Sequence, residues 1–156
     1  MRPIRKKSLL VTAIAVLASF ALVSFKAPGG DKFEIYLNKK LVMEHYVHNS
    51  SAIMKYLTLH PGNYTNTIEV YYSHCGTVGT SRSIILKDAQ NKTLKKWDFA
   101  DAGSGSKNMS WKVKEIMDFQ KGDNPTLKLY YSSKELPEGR MLATVVTGKA
   151  SYAKAQ

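Results

Sequence analysis

The feature that most constrains this chain is a period-two alternation of apolar and polar residues, which recurs through most of its length. Phe33, Ile35 and Leu37 share one side of such a segment, and residues 41–47 repeat the pattern after a short polar turn. Successive side chains of a β-strand point to opposite faces, so this spacing is typical of half-buried strands. We therefore predict a hairpin over residues 33–47.

Clusters of turn residues divide the rest of the chain into similar short units. Residues 60–63 and 122–125 are the clearest of these clusters, because both combine glycine, proline and asparagine. About eight strands with turns roughly every 8–12 residues are typical of a sandwich or barrel. We predict one antiparallel β-sandwich domain over residues 31–148, immunoglobulin-like or jelly-roll-like, followed by a polar tail at residues 149–156. The further predicted strands are residues 68–74, 82–87, 93–99, 126–132 and 140–147, with 52–59 ambiguous in period and 116–119 equally compatible with a short helical turn.

The N-terminus has the order of a secretory signal helix. Four basic residues among the first seven precede an uncharged, mostly apolar run over residues 9–23. We predict a signal sequence at residues 1–27 and a periplasmic or extracellular location. The alternative is a retained inner-membrane anchor at residues 9–25, although a membrane-spanning helix needs roughly 20 apolar residues.

The basic character of the chain is weaker than its formal net charge of +11 indicates. Five of the 23 basic residues lie within the predicted signal, which leaves 18 against 12 acidic residues and a charge of about +6. The closest cluster, Lys92, Lys95 and Lys96, is expected to protect a hairpin edge from unwanted pairing. We therefore predict no nucleic-acid partner.

An internal repeat links two of the predicted strands. Residues 67–73 read TIEVYYS and residues 126–132 read TLKLYYS, and an arginine follows each copy, Arg82 and Arg140. A solenoid needs at least three copies. We expect the two segments to hold equivalent positions in two packed sheets or to derive from a duplication, with a doubled binding site as the alternative.

The segments that contain this repeat also resemble a known group of proteins. Residues 71–76, YYSHCG, and 130–140, YYSSKELPEGR, are similar to stretches of small exported β-sandwich proteins of Bacteroidota. The resemblance spans residues 33–146. It implies export and a sandwich fold, and it carries no assigned activity and no catalytic residues.

Metal-binding residue types are present, but their spacing is unfavourable. His45 and His48 are three residues apart, and His74 adjoins Cys75. Imidazole and thiolate bind zinc and copper well, but positions three apart or adjacent in a strand face opposite sides. We predict no metal and no cofactor, and we expect Cys75 to be a small buried residue.

Motifs of enzymes are equally weak. The chain has no Gly-x-Ser-x-Gly nucleophile motif, and the glycine-rich segment 76–81 lacks the Lys-Ser/Thr ending of a phosphate loop. The leading prediction is therefore a non-enzymatic interaction module. The alternative is a small metal-dependent or hydrolytic enzyme that uses His74 and a neighbouring histidine.

Tyrosines on the outer strand faces are the best candidates for binding. If Ile68, Val70 and Tyr72 point inward, Tyr71 points outward, and the same alternation turns Tyr130 outward. Aromatic rings with a hydroxyl suit contact with a protein or a glycan, and loops 75–81 and 101–109 of a rigid sandwich suit recognition. The predicted partner is an envelope protein or glycan, and the predicted binding residues are Tyr71, Tyr130, Arg82 and Arg140.

Overall fold

The structure is a computed structural model that describes residues 30–47, 55–102, 107–120 and 126–148. The predicted signal sequence, the alternative anchor and the polar tail lie outside these residues, as does His48. Within the described residues, nine strands run from Asp31 to Thr147. They are β1 (Asp31–Leu37), β2 (Lys40–Val47), β3 (Tyr56–Leu59), β4 (Thr67–Ser73), β5 (Arg82–Lys87), β6 (Thr93–Phe99), β7 (Met109–Lys112), β8 (Thr126–Ser133) and β9 (Leu136–Thr147).

The strands form two sheets that enclose one core. The four-stranded sheet has the order β2-β1-β4-β7, and the five-stranded sheet has the order β3-β9-β8-β5-β6. The prediction of a β-sandwich is confirmed, with one correction to the strand directions. The edge strand β3, which lies in the segment of ambiguous period, runs parallel to β9, whereas the other pairs are antiparallel.

The two copies of the internal repeat lie in different sheets. They form β4, which is next to the edge strand β7, and β8, the central strand of the five-stranded sheet. The rings of Tyr72 and Tyr131, the second tyrosine of each copy, stack across the core with centroids 4.0 Å apart and planes 9° apart. The two copies therefore pack against each other across the core, as expected for strands of two packed sheets. The other buried apolar residues of these two strands are Ile68, Val70, Leu127 and Leu129.

The first hairpin follows from its turn residues. Asn38 and Lys39 connect β1 to β2 with φ values of 48° and 64°, which two-residue turns of type I′ require. Asn38 also bonds to β4, because its N–H donates to the Thr67 carbonyl at 2.8 Å and its side-chain oxygen accepts from the Thr67 N–H at 2.9 Å. The turn is thus held against the neighbouring strand.

A second aromatic pair closes the core between β6 and β7. The rings of Trp97 and Trp111 lie 5.2 Å apart, and the Trp97 Nε1–H donates to Glu115 at 2.9 Å. Glu115 belongs to a short helix, α1 (Lys114–Met117), which confirms the helical alternative for this segment. A 3₁₀ turn covers Pro61–Asn63. No helix in the described part of the chain is long and apolar enough to span a membrane.

Candidate functional site

The outer side of the four-stranded sheet carries three tyrosines, and we call it the tyrosine face. It consists of Tyr36 on β1, Tyr46 on β2 and Tyr71 on β4. Strand alternation explains their direction, because Ile35 and Tyr72, next to two of them, are at most 1% exposed in the core. Tyr46 is 52% exposed, and the other two tyrosines are half-buried.

The register of the strands brings these rings near one another. Tyr36 lies opposite Glu69 of β4, two residues before Tyr71, so the two tyrosines are diagonal neighbours. Diagonal positions are about 7–8 Å apart, which is within reach of aromatic side chains. Tyr46 lies opposite Lys32 on the other side of β1. The face is therefore a continuous surface over three adjacent strands.

Ion pairs separate the rings and fix the charges of the tyrosine face. The Lys32 Nζ lies 2.6 Å from both Glu34 and Glu44 and 4.9 Å from the centroid of the Tyr46 ring. These hydrogen bonds raise the pKa of Lys32, that with Glu34 most. Partial burial raises the pKa of Glu34, but hydrogen bonds from Lys32 and the Tyr36 hydroxyl outweigh burial and lower it overall. The Glu34 carboxylate thus stays ionised at neutral pH.

An open hollow of about 400 Å³ adjoins the tyrosine face. Two polar side chains that do not line the hollow form hydrogen bonds to residues that do. The Asn108 side-chain amide donates to Glu69 at 3.1 Å, and the Lys112 ammonium donates to the Thr67 hydroxyl at 3.0 Å. Glu69 lines the hollow and also lies opposite Tyr36 on the neighbouring strand. The hollow therefore borders the tyrosine rings directly. The hollow is lined by Asn38, Lys39, Thr67, Glu69 and Ser110.

The structure does not bring Tyr130 together with Tyr71. Tyr130 lies on the outer side of the five-stranded sheet, half-buried, with the Lys87 Nζ 4.4 Å from its ring centroid. Because the repeat packs its second tyrosines against each other, the first tyrosine of each copy points away from the shared core. The two predicted binding tyrosines therefore occupy opposite faces of the sandwich.

Both predicted binding arginines make internal hydrogen bonds. Arg82 is only 3% exposed, and its guanidinium donates to the carbonyls of Ala100 and Lys107, both at 2.6 Å. Arg140 donates to the Asp31 carboxylate at 2.8 Å. Both guanidinium groups are therefore held by contacts within the fold. Among the described residues, neither guanidinium forms a hydrogen bond with Tyr71 or Tyr130.

A network of polar side chains between the sheets was not predicted. The Tyr72 hydroxyl donates to Asp31 at 2.7 Å and accepts from Arg140 at 2.7 Å, while the His74 Nδ1 lies 3.5 Å from the same carboxylate. Burial and the bond to Asp31 raise the pKa of Tyr72. The repeat was the sequence feature that could have indicated this network, because buried tyrosine hydroxyls need hydrogen-bond partners.

Ser133, His74 and Asp31 lie in the order of a nucleophile, a base and a carboxylate. The His74 Nε2 lies 3.2 Å from the hydroxyls of Ser133 and Tyr131. Such an order suits covalent catalysis only when the nucleophile is open to a substrate. Ser133 is 4% exposed, and a Cβ placed on Gly79 would lie 2.9 Å from its Oγ. The segment around Gly79 therefore covers this hydroxyl.

The structure corrects the expectation for Cys75. The side chain is exposed rather than buried, because the chain turns outward after β4 with a φ of 50° at this residue. The described neighbours of His74 are Asp31, tyrosines and Ser133 rather than a second histidine. Within the described ranges, no group of three His, Cys, Asp or Glu residues could hold a metal ion.

The two predicted recognition loops meet at one end of the sandwich. Residues 76–80 and part of 101–107 line an open cleft of about 440 Å³. The first of these loops is tied to the β8–β9 turn, because the Glu135 carboxylate accepts from the Thr80 N–H at 2.9 and 3.1 Å and from its hydroxyl at 2.9 Å. One wall of the cleft is therefore fixed by a charged side chain.

We expect Glu135 to titrate far below an ordinary glutamate. The Thr80 N–H is the main cause that lowers the pKa of Glu135 from 4.5 to about 2. Because the folded-state pKa is the lower one, the bond stabilises the fold above about pH 4.5 and is lost as the pH falls through about 2. A carbon-detected NMR titration checks this value. A midpoint at pH 4 or above would contradict it, and Glu135→Gln should remove this part of the acid dependence.

The chain matches no family model, no curated protein and no solved structure. A functional assignment therefore depends on the surface geometry. The tyrosine face is the described surface that combines exposed aromatic area, fixed charges and an adjoining hollow.

Proposed function

We propose that this protein is an exported, non-enzymatic binding module and that its tyrosine face binds a glycan. The observation that carries the proposal is the grouping of Tyr36, Tyr46 and Tyr71 on one outer sheet face beside an open polar hollow. A sugar ring has an apolar C–H side and a rim of hydroxyls. Aromatic rings match the first, and carboxylates and amides match the second.

The charges of the face favour a glycan over a protein partner. The cores of protein–protein interfaces are depleted in charged residues. The tyrosine face instead has Lys32, Glu34 and Glu44 paired between its rings, with Glu69 at the hollow. Carboxylates that accept hydrogen bonds from sugar hydroxyls need not be desolvated as a protein interface would require. These charges therefore suit a hydrated, hydroxyl-rich ligand.

The proposed location agrees with such a ligand. The order of charges and apolar residues over residues 1–27 supports export, and the retained anchor at residues 9–25 would hold the module at the inner membrane instead. In either case the sandwich would face the glycan-rich envelope. The resemblance to small exported proteins of Bacteroidota supports the same location.

The test is a binding experiment with the full chain and neutral oligosaccharides. We expect a member of a panel of cello-, xylo-, malto- and chito-oligosaccharides to bind, and Tyr71→Ala to weaken it about tenfold. The loss follows from removal of one stacking ring near the centre of the face. Isothermal titration calorimetry measures the change, and Tyr130→Ala on the opposite face is the matched control.

The outcomes separate the hypotheses. Equal effects of Tyr71→Ala and Tyr130→Ala would show that the tyrosine face is not the site. Binding of no oligosaccharide, together with capture of a protein through Tyr71, would replace the glycan with a protein partner. Unfolding of the Tyr71 variant would contradict its outward position.

A further inference from the structure

The outer side of the five-stranded sheet carries three lysines on adjacent strands. Lys128 of β8 lies directly opposite Lys87 of β5, and Lys96 of β6 lies opposite Ile85, which places it diagonal to Lys87. We call these three residues the lysine row. Neighbouring strands are about 4.8 Å apart, so the row forms a line of positive charges over three adjacent strands of the sheet.

This arrangement is unfavourable for the fold itself. Like charges directly opposite each other across two strands are destabilising. Lys87 lies over the Tyr130 ring at 4.4 Å, and the Lys128 ammonium donates to the Ala89 carbonyl at 3.1 Å and the Asn91 side chain at 2.8 Å. These partners are neutral. They orient the two ammonium groups without cancelling their charge.

Compensation by carboxylates is confined to one end of the row. Among the described residues, Lys96 is the member of the row that forms a salt bridge, with Asp98 at 2.8 Å. The side chains of this pair are 52% and 70% exposed. An exposed pair of this kind contributes little and is readily exchanged. The opposite tyrosine face pairs Lys32 with two carboxylates. Among the residues that the structure describes, Lys87 and Lys128 therefore have no carboxylate within salt-bridge distance.

We propose that the lysine row binds an anionic polysaccharide. A line of charges on an open sheet face suits a polymer with repeated anionic groups, which would supply the missing compensation. Single-stranded nucleic acid requires rings on which successive bases stack. The ring beside the row, Tyr130, is covered by Lys87, so the row offers charges rather than a stacking platform.

The lysine row goes beyond the proposed glycan site, because it lies on the other face of the sandwich and uses different chemistry. A module with both sites would hold a neutral chain on one side and an anionic chain on the other. The two sites share no residue. Either can therefore fail in experiment without affecting the other.

The test compares two triple variants of the full chain that have the same net charge. One is Lys87→Gln, Lys96→Gln and Lys128→Gln. The control is Lys40→Gln, Lys114→Gln and Lys134→Gln. These three lysines are exposed, and none of them lies on β5, β6 or β8. With polygalacturonate as the probe, we expect the first variant to lose affinity about fivefold per lysine, on the order of a hundredfold in total, and the control to lose much less.

Three results would overturn the proposal. Equal losses in both variants would mean that only net charge matters. Tighter row-dependent binding of a single-stranded oligonucleotide would replace the polysaccharide with nucleic acid. Absence of polygalacturonate binding by the unsubstituted chain at low ionic strength would rule out the proposed ligand class.

Discussion

Replacement of Tyr72 by alanine is expected to lower the free energy of unfolding by about 3–5 kcal/mol, whereas Tyr71→Ala should cost less than about 1 kcal/mol. The two residues are neighbours in β4, but Tyr72 is 1% exposed and stacks on Tyr131 across the core. Its loss removes a large apolar surface and leaves a cavity between the sheets. Urea unfolding followed by tryptophan fluorescence measures both values.

The same comparison in β8 provides an independent control, because Tyr131→Ala should be severe and Tyr130→Ala mild. The double variant of Tyr72 and Tyr131 should cost less than the sum of the single variants by about 0.5–1.5 kcal/mol, since the stacked pair is lost only once. Equal costs for Tyr71→Ala and Tyr72→Ala would contradict the assignment of faces. Additive costs would contradict the stacking.

The Tyr72 hydroxyl has a smaller and separable effect. Tyr72→Phe keeps the ring and removes only the group that donates to Asp31 and accepts from Arg140. The guanidinium still bonds to the carboxylate at 2.8 Å, so the network loses a member without leaving a charge unpaired. The ring therefore accounts for most of the cost of Tyr72→Ala.

Much of this fold was predictable because side-chain direction in a strand depends only on local alternation. Alternation places Ile68, Val70 and Tyr72 on one side, and the repeat predicts the same for β8. The turn at Asn38 and Lys39 was predictable for a similar reason, since asparagine tolerates the positive φ that a tight hairpin needs. In each case the information lies within a few residues.

The remainder depended on which strands become neighbours, which alternation does not determine. The lysine row shows this, because Lys87, Lys96 and Lys128 are far apart in sequence and meet only through the order β8-β5-β6. The grouping of Tyr36 and Tyr46 with Tyr71 arises in the same way from the order β2-β1-β4. Sequence reasoning selected Tyr71 correctly as outward but could not identify its neighbours.

Residues at the ends of strands were the least predictable. Cys75 comes directly after the predicted strand 68–74. The chain leaves the sheet already after Ser73 and forms a turn in which His74 pairs with Thr77. Arg82 had the sequence context of an exposed strand start. A long cationic side chain at such a position reaches either solvent or nearby carbonyls, and the positions of the Ala100 and Lys107 carbonyls decide between them.

The role of Arg82 leads to the second large effect, because Arg82→Met is expected to lower the free energy of unfolding by about 3 kcal/mol. The guanidinium is 3% exposed and donates to the carbonyls of Ala100 and Lys107 at 2.6 Å. Methionine fills a similar volume but leaves both carbonyls without this donor. Chemical unfolding measures the loss, and limited proteolysis near residues 100–107 should show faster cleavage.

Arg140→Met is the matched control, with an expected cost of about 1–2 kcal/mol. The Arg140 side chain is 32% exposed, so water can replace part of its bonding, and the Tyr72 hydroxyl still donates to Asp31 when the guanidinium is gone. If Arg82→Met instead kept full stability and lost ligand binding, Arg82 would be a surface recognition residue. A larger loss for Arg82 than for Arg140, with oligosaccharide binding retained by the folded fraction, would assign Arg82 to the anchoring of the loop.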